Sequence, residues 1–251
     1  MKAAPKAVMV TGAGRRIGRH IALALAEDGW AVAVHYNSSA DAAEEVVAEI
    51  TATGGRAVSI GADLSDPDSY STLVADSARA LGTPLTALVN NASTFVADTA
   101  EDPHAYDLNT AVNLHAPLAL SAQFAAQTTS GVILHIVDQR VFKPNPLYFS
   151  YTLSKAALYW AVRTQAQSFA PNIRVVGVGP GPTLRNTDQA DGEFEAEAAN
   201  TLLGHGSPPE EIVRAVRYLF SADAVTGQMI AVDAGQHLTW ATPDLLVGDQ
   251  T

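Results

Sequence analysis

The chain is predicted to be an α/β protein: one Rossmann-type, doubly wound, parallel sheet of seven strands with helices on both faces. Two patterns in its 251 residues predict this. Short β-branched runs, apolar throughout as strands covered on both faces must be, alternate with helical patterns. A glycine-rich turn directly follows the first run and opens a helix, the context in which such turns hold phosphate. No repeat, linker or low-complexity segment interrupts the alternation, so a single domain over 1–251 is the economical reading.

The strand runs are AVMV (7–10), AVAV (31–34), AVSI (57–60), ALV (87–89), VILHIV (132–137), IRVVGV (173–178) and MIAV (229–232). Helical patterns fill 15–28, 40–53, 67–80, 104–128, 148–170 and 209–221. Gly54-Gly55, Gly82 and Gly131 fall where helix C-caps belong. The polar segment 183–207, with glycines at 192, 204 and 206, breaks the rhythm and is expected to be a mobile insertion over the substrate site.

Composition narrows the function. Hydrophobic residues make up 47% and charged residues 16%, as in a globular chain. A net charge of −11 argues against a nucleic-acid partner, which calls for a basic face. There is no cysteine, which excludes disulfides, thiol nucleophiles and cysteine-ligated metals. Histidines 20, 35, 104, 115, 135, 205 and 237 show no ligand pairing, so no metal is expected, and His135 reads as a satisfied core histidine. No apolar stretch is long enough to span a bilayer, and the first apolar run reads as a strand rather than a signal peptide; a cytoplasmic protein is the default.

The chemistry sits directly after the strands, where such sheets bind ligands. The loop Thr11-Gly12-Ala13-Gly14-Arg15-Arg16-Ile17-Gly18 lets backbone approach a pyrophosphate at a helix N-terminus, although its last glycine gap is one residue longer than in G-x-G-x-x-G. The second strand ends in His35, Tyr36, Asn37, Ser38 and Ser39, without the carboxylate that would hold an NAD ribose. With Arg15 and Arg16 nearby, that composition favours the 2′-phosphate of NADP(H). Tyr151 and Lys155 are four residues apart on one helix, so an ammonium can sit beside a phenol and lower its pKa towards general-acid use.

These motifs resemble, in order, those of the short-chain dehydrogenase/reductases: the TG loop, Ala62-Asp63-Leu64, Asn90-Asn91-Ala92, Asn113, Tyr151-x-x-x-Lys155 and Pro180-Gly181-Pro182-Thr183, over about residues 6–240. The resemblance implies that Tyr151 donates a proton and that Lys155 bonds the nicotinamide ribose and depresses the tyrosine pKa. It implies that Asn113 holds a relay water, that Asp63, beside Leu64, contacts adenine, and that Asn91 and Ala92 line the adenosine ribose. Pro180, Gly181 and Thr183 would hold the carboxamide.

The departures point to a branch. The family usually has serine thirteen residues before the tyrosine; here that position is Asp138. Arg16 replaces a usual glycine. Together with HYNSS after strand two and Asn91-Ala92-Ser93-Thr94-Phe95, these resemble the pteridine reductases. That implies Phe95 stacks on the pterin ring, Ser93 contacts cofactor and substrate, and Arg16 reaches both cofactor phosphate and pterin edge. A ring C=N needs protons at nitrogen, and a carboxyl at Asp138 could pass them to Tyr151 or bond ring amino groups. Val176 and Ala234 stand where the family usually has asparagine and glycine.

The reading is an NADPH-dependent pteridine reductase. A carbonyl reductase of the same fold and a cofactor-binding regulatory protein are the alternatives. Homotetramers are the family habit; Tyr148, Phe149, Tyr159 and Trp160 on the tyrosine helix, and Met229–Trp240, are the expected contacts.

Overall fold

The computed structural model describes residues 6–185 and 191–240. Strands β1 (Ala7–Val10), β2 (Ala31–Tyr36), β3 (Ala57–Gly61), β4 (Ala87–Asn90), β5 (Gly131–Ile136), β6 (Ile173–Pro180) and β7 (Met229–Val232) form one sheet in the order β3-β2-β1-β4-β5-β6-β7. Every pairing is parallel. The predicted runs become strands, with β2 and β6 each running two residues further.

Alternation of side chains across each strand splits the core in two. Val8, Val10, Val32, Val34, Val176 and Val178 pack against helices α1 (Arg16–Glu27), α2 (Ala40–Ala52) and α8 (Pro209–Ser221). Met9, Ala33, Leu88, Ile133 and Val175 face α3 (Leu73–Leu81), α5 (Ala116–Gln127) and α6 (Phe149–Phe169) on the other side. Val176 is fully buried, so the missing asparagine of strand six is a core substitution.

Three local expectations are corrected. The helix expected from 67 starts at Leu73, because Asp66 and Asp68 capture nearby amide and hydroxyl donors in turns that compete with helix. The long helix expected over 104–128 runs as α4 (Tyr106–Thr110), a π-helical turn (Ala111–His115) and α5. Gly131 opens β5 rather than capping a helix; a Cβ there would lie 2.6 Å from the Thr86 carbonyl oxygen. Gly82, by contrast, caps α3 with φ +63°.

The 183–207 segment contains a helix, α7 (Glu193–Ala199). Positions 186–190 of it lie outside the described residues.

Candidate active site

β1 and β4 are neighbours in the sheet, yet the chain leaves them in opposite directions, towards β2 and towards β5. That reversal opens a crevice beyond their carboxyl ends. The two loops are laced across it: Thr11 Oγ1 accepts from the Asn91 and Ala92 amides at 2.9 Å each, and Asn91 Nδ2 donates to the carbonyls of Thr11 (2.8 Å) and Gly12 (3.2 Å). Gly12 has φ +63°. Gly18 lets α1 approach the loop: a Cβ on it would sit 2.3 Å from the Gly12 carbonyl oxygen. The first turn of α1 carries no acidic side chain, so none of its own carboxylates offsets the positive end of the helix.

His35 is placed differently from the expectation. It is 1% exposed, its Nδ1 accepts the Gly12 amide at 3.1 Å, and its Nε2 donates to the Ala62 carbonyl at 3.1 Å. Burial pushes its pKa down to about 4. The imidazole is a neutral brace between the phosphate loop and β3, because both nitrogens are spent on backbone. Of the other residues ending β2, Asn37 lines the cavity, while Tyr36, Ser38 and Ser39 do not. Tyr36 instead packs its ring over Gly61.

A cavity of about 510 Å³ runs from this loop to α6. Gly12, Arg15, Arg16, Ile17, Gly18, Asp63, Leu64, Asn91, Ala92 and Ser93 line one end; Pro180, Gly181 and Thr183 line it beside β6. Gly181 is held against Asp233, whose Cα would be 2.6 Å from an added Cβ. The Asp63 carboxylate is held below its usual range by the Ser65 hydroxyl and amide. Arg16 sits at φ +52°, which explains why glycine is usual at this position. Its guanidinium donates to the carbonyls of Arg185 (2.7 Å) and Leu184 (3.1 Å), tying the phosphate loop to the segment after β6. Ala234 also adopts positive φ, +50°, where its Cβ is strained and glycine would not be.

At the other end, Tyr151 donates its hydroxyl hydrogen to Asp138 Oδ2 at 2.7 Å. Tyr151 is 5% exposed and Lys155 2%. Lys155 Nζ donates to the Ile136 carbonyl (2.9 Å) and lies 5.8 Å from the tyrosine ring centre. The expected lowering of the tyrosine pKa is reversed: burial, then the Asp138 charge and its hydrogen bond, push the phenol well above its ordinary value. Arg140 and a Ser93 hydrogen bond oppose the shift without cancelling it. Burial takes Lys155 down to about 8, with Asp138 pulling the other way. Burial and the carboxylate at this position together keep Tyr151 a neutral donor rather than a latent phenolate.

Asn113 is buried in the π-helical turn and does not line the cavity. Its Oδ1 accepts the Ser93 hydroxyl and Thr94 amide (2.9 Å each); its Nδ2 donates to the Thr94 carbonyl (2.9 Å) and Ser154 Oγ (3.2 Å). Ser154 in turn bonds the Tyr151 carbonyl at 2.7 Å. Asn113 thus clamps the loop after β4 to the catalytic turn of α6. Turns with an extra residue often mark functional sites.

Sequence reasoning missed Arg140 and the place of Tyr148 in the cavity wall. Tyr148 stacks on Phe95 (4.3 Å between centroids, 14° between planes), and both rings line the cavity. Phe95 also meets Tyr151 edge-on at 4.7 Å. Asp98 aligns the helix start, accepting the Ser150 amide at 2.9 Å and the Ser150 hydroxyl. Phe194 and Glu197 of α7 complete the lining, so the expected insertion does reach the site. Among the described residues no three or more His, Asp or Glu side chains gather as a metal site.

The family follows from the whole constellation. A short chain dehydrogenase model matches residues 6–197. The chain belongs to that family. Among solved short chain dehydrogenase-like folds, the FolM alternative dihydrofolate reductase 1 of Brucella canis, complexed with NADP, shares 41% identity, with coverage of 96% of this chain and 98% of that one and a TM-score of 0.92. The dihydromonapterin reductase of Citrobacter koseri is 29% identical, covering 93% of this chain and 98% of its own. The 7alpha-hydroxysteroid dehydrogenase of Escherichia coli K12 is 33% identical, covering 92% and 93%. Membership makes the chain an oxidoreductase, and no helix among its described residues is long and apolar enough to cross a membrane.

Proposed function

We propose that the chain is an NADPH-dependent reductase of a pteridine ring, a dihydropterin or a dihydrofolate-like compound. The observation that carries this is the 2.7 Å hydrogen bond from Tyr151 to Asp138, where the family usually has serine. A FolM dihydrofolate reductase and a dihydromonapterin reductase among its relatives support it. The site fits NADP(H). Close backbone approach at Gly12 and Gly18, Arg15 and Arg16 beside Asn37, and no carboxylate at the end of β2 suit a phosphorylated ribose. The Brucella canis structure contains NADP.

NADPH held along Gly12, Arg15, Arg16 and Asn37 would supply hydride chemistry to a ring carbon. Reducing a C=N then needs one proton at nitrogen. Tyr151 gives its hydroxyl proton to that nitrogen. A tyrosinate beside a carboxylate would be two anions in contact, so the phenol oxygen regains a proton from Asp138 Oδ2–H in the same relay. Water reloads Asp138. The 2.7 Å contact between the phenol and Asp138 Oδ2 is the path that proton takes. Phe95 and Tyr148, stacked on each other, line the cavity with aromatic surface suited to a flat heterocycle. Lys155 stays charged below about pH 8 and holds the ribose end.

Carbonyl reduction is the second reading, favoured by the hydroxysteroid dehydrogenase relative and by the Tyr151–Lys155 pair, which suffices for ketones. Exposed Leu153, Trp160, Leu238 and Trp240 suit subunit contacts of a homotetramer; a light-scattering mass of one chain would exclude that. The substrate test is NADPH oxidation by purified protein with dihydropterins, dihydrofolate and a ketone panel. Oxidation with a pterin and little with ketones is expected. Oxidation only with ketones would overturn the reading.

A further inference from the structure

Arg140 lies next to the relay in the short 3-10 turn after β5 (Gln139–Val141). Its backbone amide donates to Asp138 Oδ1 at 2.7 Å, and its guanidinium Nη1 lies 3.7 Å from the same oxygen. Tyr151 takes Oδ2. The two carboxyl oxygens therefore have separate duties. The guanidinium is itself held: it lies 5.1 Å from the Phe95 ring centre and 5.2 Å from that of Tyr148, and it is 17% exposed. Phe95 follows β4, Tyr148 precedes α6 and Arg140 follows β5, so one side chain joins three elements around Asp138.

We infer that Arg140 is a positioning residue of the proton relay, holding one oxygen of the Asp138 carboxylate so that only the other exchanges a proton with Tyr151. This rests on the relay proposed above. Oδ1 accepts the Arg140 amide and lies 3.7 Å from the Arg140 guanidinium. Oδ2 faces the phenol. Among the described residues, the charged or titratable groups that bond or act on Asp138 are Tyr151 and Lys155 of α6 and Arg140 of the turn; on the β6 side Gly179 comes close, and an added Cβ there would lie 3.4 Å from the Asp138 carbonyl carbon. Arg140 is thus the cation on the Oδ1 side of the carboxylate, with Lys155 the second cation that acts on it.

The test is the Asp138 carboxyl titration in the full-length protein, followed by carbon-13 NMR with the signal identified by its loss in Asp138→Asn. Arg140→Met should raise the midpoint by about one pH unit, tenfold in proton affinity. Arg140→Lys keeps the charge and should leave the midpoint near wild type. The alkaline limb of kcat, with whichever substrate turns over, should move up in Arg140→Met by the same amount. An unchanged midpoint in Arg140→Met overturns the inference, as does an equal shift in Arg140→Lys. If Arg140→Met does not fold, Arg140→Gln replaces it with the same expectation. The midpoint needs no substrate, so a failed pterin assignment would appear in the substrate panel and leave this comparison standing.

Discussion

The two ends of the cavity are built by different means. The end built on β1, β2 and β4 works through backbone: Gly12 at positive φ, Gly18 against a carbonyl, and a buried neutral His35 spanning two loops. The end built on β5 and α6 works through ionisable side chains: Asp138, Arg140, Tyr151 and Lys155, of which Tyr151 and Lys155 are shifted by burial and by Asp138. A backbone cradle binds the part of a cofactor that never reacts. Mobile protons demand groups whose charge can change. The first end should therefore be sensitive to shape and the second to charge and pH.

The largest expected effect is at the second end. Tyr151→Phe should lower kcat by roughly a thousandfold or more while NADPH affinity, read by fluorescence titration, stays within about twofold. Retained turnover would remove Tyr151 from the mechanism. Next is shape at the first end: Gly18→Ala places a methyl 2.3 Å from the Gly12 carbonyl and should weaken NADPH by about a hundredfold or more, even with neutral charge balance.

pH separates the ends further. The folded-state pKa of Lys155 is lowered to about 8, so its cation is lost as pH rises through 8, and kcat/KM for NADPH, which reports the free enzyme, should fall above that pH. A flat profile to pH 10 would detach Lys155 from cofactor binding. His35 and His135 are both lowered to about 4 from 6.5. The unfolded chain then binds more protons than the folded one, so the stability they carry is intact above pH 6.5 and lost as pH falls towards 4. Up to about 3 kcal/mol each is at stake. Denaturant midpoints at pH 7 and pH 5 should differ in the wild type and differ less in His35→Gln. The smallest effect is expected from Arg16→Gly. Its guanidinium is engaged with the carbonyls of Leu184 and Arg185, so NADPH should weaken only severalfold, with NADH less affected.

Legibility followed the same division. Strand runs, the phosphate loop and the order of motifs were readable because burial on both faces and close backbone approach leave marks in residue type. His135 was readable as a core histidine; it is fully buried between Asn90 and Gln165. His35 was not, because a brace and a phosphate ligand look alike until both ring nitrogens have partners. The sign of the Tyr151 shift was misread because spacing reveals the lysine one turn away, whereas burial, the larger cause, and the Asp138 carboxylate that follows β5 both come from the tertiary fold. Tyr148 read as surplus on its helix for the same reason: its partner Phe95 lies over fifty positions away in the chain. Arg140 gave no signal beyond standing two residues after Asp138.

The central claim is that Asp138 makes the phenol a donor to ring nitrogen. The most direct measurement is the ratio of pterin to ketone turnover, at saturating NADPH, in the wild type and in Asp138→Ser. That ratio should fall by about a hundredfold in the variant, through lost pterin turnover with cofactor affinity retained. A ratio that stays the same, or a rise in pterin turnover, would contradict the role assigned to the carboxylate.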